Sequence, residues 1–80
     1  MMTLDTLAGG TDARITGVDW KLLAGDEAKR LRALGVDEGA QIAILHRGIF
    51  GTRDPLAIRI GQMTIALRRS HAQAITVETI

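Results

Sequence analysis

The chain has 80 residues, with 10 basic and 9 acidic side chains for a formal net charge of +1, one proline, no cysteine and two aromatic residues, Trp20 and Phe50. Residues 1–80 suit one small domain, and 46% apolar against 24% charged residues is a globular composition with a small aliphatic core. The lack of cysteine excludes disulfides, thiolate nucleophiles and cysteine-ligated metal centres.

In chain order, Leu4 to Gly10 reads as a short helical turn or an extended arm ending in Gly9-Gly10. A strand is expected over Ala13 to Val18, which is β-branched at Ile15, Thr16 and Val18. One helix follows, with Asp26 as its N-cap, Glu27 in the first turn, Ala28, Leu31 and Leu34 at helical spacing, and Gly35 as the stop. Lys29, Arg30 and Arg32 fall on its other faces, so the leucine stripe is expected to lie across one side of the fold.

The second half alternates apolar and polar residues with the period of strands. Ile42 and Ile44 form one apolar face; Leu56, Ile58 and Ile60 form the next, and Met63, Ile65 and Leu67 a third. Gly61-Gln62 between the last two suits a type II′ hairpin, because glycine supplies the positive φ required at its first position. Ile75 and Val77 point inward in a closing strand, with Thr76 and Glu78 outward. Five short strands and one inserted helix imply a mainly β fold, a small, partly open β-barrel.

Charge is distributed unevenly. Residues 1–40 carry −2, and residues 41–80 carry +3, with all five of their cations arginine: Arg47, Arg53, Arg59, Arg68 and Arg69. Arginine forks onto carboxylates and phosphates, so an acidic protein surface or a nucleic acid is the partner to weigh, against a merely solvated exterior. Base stacking would want aromatics among the cations, and only Phe50 lies near Arg47 and Arg53. Ile49 and Phe50, between Gly48 and Gly51, place large apolar side chains in an expected loop, where they either cover the barrel mouth or meet another protein. His46 and His71 are weak metal candidates, since they lack a ligand spacing. Ser70 is the only serine and is adjacent to His71, so a catalytic triad is not expected. The longest uncharged stretches are far shorter than the roughly 18 residues that span a bilayer. Met1 to Asp5 resembles no secretory leader, so the expectation is a cytoplasmic, non-enzymatic chain without direct membrane insertion.

Leu31-Arg32-Ala33-Leu34-Gly35-Val36-Asp37-Glu38-Gly39-Ala40-Gln41-Ile42, Asp54-Pro55-Leu56-Ala57-Ile58, Ala66-Leu67-Arg68-Arg69, and Ala72 with Ile75-Thr76-Val77 resemble the FeoA family, ferrous iron transport protein A. The order and spacing of these motifs carry the resemblance from about Leu4 to Glu78. Arg53 departs from the glycine that members often have before Asp-Pro. The resemblance implies an SH3-like barrel with an inserted helix, no cofactor, and an accessory role in ferrous iron uptake. The implied partner is the cytoplasmic part of FeoB, the membrane permease with a GTPase domain, and no nucleic acid is expected. The surface for that partner is placed at Arg30, Ile49, Phe50, Arg68 and Arg69. A nucleic-acid-binding barrel and a direct iron carrier using His46 and His71 are the alternatives. A domain this small buries only a little over about 60% of its unfolded surface, which leaves room for a weak homo-oligomer.

Overall fold

A computed structural model describes residues 2–45 and 55–80. Six strands form one antiparallel sheet: β1 (Met2–Thr3), β2 (Asp12–Val18), β3 (Gln41–Ile44), β4 (Leu56–Ile60), β5 (Met63–Leu67) and β6 (Ile75–Thr79). Their order across the sheet is β1-β6-β2-β3-β4-β5. Among the described residues β1 and β5 are the two outer strands and do not pair with each other. Helix α1 (Gly25–Ala33) joins β2 to β3, and α2 (Arg69–Ala72) joins β5 to β6. Leu4–Thr6 and Trp20–Leu22 form single 3-10 turns.

Period-two alternation puts one face of the sheet into the core: Ala13 and Ile15, Ile42 and Ile44, Leu56, Ile58 and Ile60, Ile65 and Leu67, and Ile75 and Val77 are all buried. Leu31 of α1, Val36 after it, and Leu4 and Leu7 complete the cluster. The inward set is as the alternation predicts, except Met63, which is 44% exposed. Met63 pairs with Ile60 at the hairpin end, where Ile60 is buried in the core cluster and Met63 is not. Gly61 turns this hairpin at φ 60°, and no described non-glycine residue has positive φ, which matches the type II′ expectation.

Three elements differ from the expected arrangement. Strand β1 is a sixth strand, pairing Met2 with Val77 and Thr3 with Thr76. Two residues have too few positions to show a period, so only the presence of β6 reveals it. Helix α2 is a second helix where the sequence predicts one alone; its single turn over Arg69–Ala72 carries the fully buried Ala72 inward. Asp26 is not an N-cap: α1 begins at Gly25 behind Ala24, and Ala28 N–H already donates to Ala24 O at 2.9 Å. Asp26 and Glu27 therefore both sit in the first turn, where the helix dipole favours acids.

The far end of α1 closes as predicted. Gly35 takes φ 93°, its N–H donates to Arg32 O at 3.0 Å, and Val36 N–H donates to Leu31 O at 2.9 Å. This is a Schellman closure, and it sends Val36 back into the core beside Leu31.

Candidate functional site

Helix α1 lies beside the junction of β5 and α2 and is tied there by polar contacts. Arg30 Nε donates to Glu27 Oε1 at 2.5 Å, one helical turn apart, and Nη2 reaches Ala66 O on β5 at 3.5 Å. Across the same junction, His71 Nδ1 of α2 lies 2.8 Å from Glu27 Oε2. Nδ1 is buried and the approach is not a well-directed hydrogen bond, so it is a close polar contact between the two helices. Glu27 thus faces a cation on its own helix and an imidazole on the next.

The hydrogen bond from Arg30 holds the Glu27 carboxyl below its ordinary value of 4.5. Partial burial opposes this, while the charge of Arg30 and then the His71 ring add to it. The Arg30 guanidinium is correspondingly raised by its bond to Glu27. A carboxyl depressed on folding contributes stability above its unfolded value and loses it as pH falls through the folded one. Glu27→Gln is therefore expected to cost about 0.5–1 kcal/mol near neutrality, as a half-exposed ion pair does. Thermal melts at stepped pH check this: the gap between the two proteins should close as pH falls below about 4.5.

Of the residues placed on a partner surface, the structure gathers three. Arg30 touches β5 two residues before Arg68, which is exposed at the N-cap of α2, and Arg69 opens that helix. Residues 55–77 contain Arg59, Arg68 and Arg69 but no Asp or Glu. Glu27 of α1 reaches this face and is engaged by Arg30 and His71. Ile49, Phe50 and His46 lie outside the described residues. Among the described residues no group of three His, Asp or Glu side chains is placed to hold a metal ion, and His71 is turned toward Glu27. No described helix is long and apolar enough to cross a membrane.

Two features escaped the sequence reading. Glu27 was legible only as a first-turn acid, although its spacing from Arg30 is that of a helical ion pair. The Arg32 guanidinium stacks on Trp20, 4.2 Å from the ring centroid, and pins the chain before α1 to the helix.

The model of the FeoA domain matches residues 2–79. The chain belongs to the FeoA family. The solution structure of iron(II) transport protein A from Clostridium thermocellum is 32% identical, with a TM-score of 0.81 over 99% of this chain and 46% of that one. FeoA from Chlorobium tepidum is 30% identical, with a TM-score of 0.82 over 99% of this chain and 70% of that one. The zinc complex of Stenotrophomonas maltophilia FeoA, a procaryotic SH3 domain protein, is 35% identical, with a TM-score of 0.79 over 98% and 91% of the two chains. This FeoA chain thus spans just under half of the Clostridium protein and most of the Stenotrophomonas one. No protein of curated function matches it. The SH3-like barrel implied by the motifs is the fold observed, with six strands rather than five.

Proposed function

We propose that this FeoA chain is a non-enzymatic accessory of ferrous iron uptake that binds the cytoplasmic part of a FeoB-type permease and modulates its assembly or activity. Family membership supports the iron uptake role. The observation that carries the contact surface is the contact of Arg30 with Ala66 O, two residues before Arg68 and three before Arg69, at a stretch, residues 55–77, that has no acid of its own. Ile49 and Phe50, outside the described residues, are the apolar side chains that the sequence assigns to the same partner. Arg68 is exposed, and its forked donors suit the carboxylates of a partner.

Co-purification tests the reading. Tagged native chain should retain the permease from detergent extract, and the combined change Phe50→Ala and Arg68→Glu should weaken retention by about tenfold or more, which corresponds to about 1.4 kcal/mol. Equal retention by native and doubly substituted chains would remove these residues from the interface. Failure of the native chain to retain the permease would overturn the partnership.

A further inference from the structure

The two edges of the sheet are protected very differently. On one side, β1 is only two residues long. On the other, β5 has five residues in unbroken register with β4, from Leu56 opposite Leu67 to Ile60 opposite Met63. It holds no proline, lysine or bulge, the devices within a strand that blunt an exposed edge, and α1 reaches it through the long contact of Arg30 with Ala66 O.

The direction of its backbone groups follows from the ladder. Leu45 N–H donates to Ala57 O at 2.9 Å, so the Ala57 carbonyl points toward β3 and away from β5. Ala57 and Ala66 are therefore a pair that does not exchange hydrogen bonds, and the Ala66 N–H and C=O point outward from the sheet. The long contact from Arg30 Nη2 meets Ala66 O on that outer side, at 3.5 Å. By the period of two, Thr64 presents its N–H and C=O to the same side. Thr64 and Ala66 are both exposed, and no described loop, cap or side chain takes their N–H groups.

We propose that β5 accepts an extended acidic peptide as an added antiparallel strand, paired through Thr64 and Ala66. Main-chain pairing supplies the affinity in this mode, and side chains select the occupant. The selection here is for acids. Arg59 stands outward opposite Thr64, Arg68 follows the end of β5, and Arg30, paired with Glu27, reaches the edge itself, while residues 55–77 contain no carboxylate of their own. Self-pairing of two β5 edges would bring two such arginine sets together, which disfavours a second copy as the occupant. The proposal gives the accessory role above a binding mode and rests on that reading for its natural partner.

The test uses the full chain and an acetylated, fluorescein-labelled eight-residue peptide of alternating Glu and Val, with the Lys-Val peptide and a Glu-Val peptide N-methylated at alternate residues as comparisons. The Glu-Val peptide should bind at least tenfold tighter than either comparison, weaken with salt, and slow hydrogen exchange at the Thr64 and Ala66 amides. Binding that leaves those two amides unprotected, or equal binding of the N-methylated peptide, would overturn strand addition. So would absence of Glu-Val binding, or a dimer of the free chain that already protects both amides. Because the comparison peptides act on the native chain, the result does not depend on a variant folding. A further change, Arg68→Glu, should reverse the preference between the acidic and basic peptides. Retention of the permease by a chain that fails the peptide test would overturn strand addition alone, whereas protected amides without permease retention would support it and overturn the partnership.

Discussion

Leu31→Ala is expected to be among the most damaging single changes in the chain, at a cost of about 3 kcal/mol within the roughly 2–5 kcal/mol typical of such truncations. Leu31 is the one fully buried residue of α1 and lies in the same apolar cluster as the inward residues of the sheet. Its carbonyl also receives Val36 N–H, so side chain and backbone anchor the helix at the same point. The loss should move toward the upper half of that range if the surrounding cluster cannot collapse into the space, because residual cavity volume sets the cost. For 80 residues the total stability is on the order of 4–12 kcal/mol, so this single change removes a large fraction of it. Thermal melting should show a fall of roughly 12–24 °C, at about 4–8 °C per kcal/mol for a domain of this size. A fall of only a few degrees would mean that α1 is not held by this leucine. The change also has a functional consequence, since α1 carries Arg30 to the edge of β5. Loosening the helix should weaken permease retention even though Leu31 itself is buried.

The second large effect is expected at Gly35. Replacing it with valine forces a β-branched residue into φ 93°, a conformation that costs about 1–2 kcal/mol for an ordinary residue and more for a branched one. Space is not the obstacle: the nearest heavy atom to an added Cβ is Ile60 Cδ1 at 3.7 Å, an ordinary contact. The penalty is therefore in the backbone, and it falls on the two hydrogen bonds that end α1 and return Val36 to the core. Gly17→Val is the matched control. Gly17 lies in β2, does not have positive φ, and has nothing within 4 Å of a built Cβ. Equilibrium urea unfolding of both variants should show a loss of about 2 kcal/mol or more for Gly35→Val and a much smaller change for Gly17→Val. Equal losses at the two positions would show that glycine is needed at Gly35 for some reason other than its dihedral angle.

Much of this fold is legible from residue order, and particular residues show why. Ile42 and Ile44, Leu56, Ile58 and Ile60, and Ile75 and Val77 alternate with polar or small residues, and each lies inward as the period requires. Gly35 and Gly61 sit where a helix must stop and a hairpin must turn, and both have positive φ. Boundaries and very short elements were not legible. Asp26 has the chemistry of an N-cap, but the helix starts one residue before it, at Gly25 behind Ala24, with no side-chain cap. Met2 and Thr3 carry no signal of their own, and become a strand only because β6 offers them an edge.

The candidate site divides along the same line. The sequence by itself determined the mainly β class, the single long helix with its leucine stripe, the uneven placement of arginine, and through its motifs the FeoA family, because hydrophobic period, turn chemistry and charge are local properties of residue order. Only the tertiary structure decided that Arg30, 36 residues before Ala66, meets its carbonyl, that Glu27 faces His71, and that β5 rather than β6 is an outer strand. Those facts depend on which strands become neighbours, and strand order is chosen by the closure of the whole core and not by any one segment.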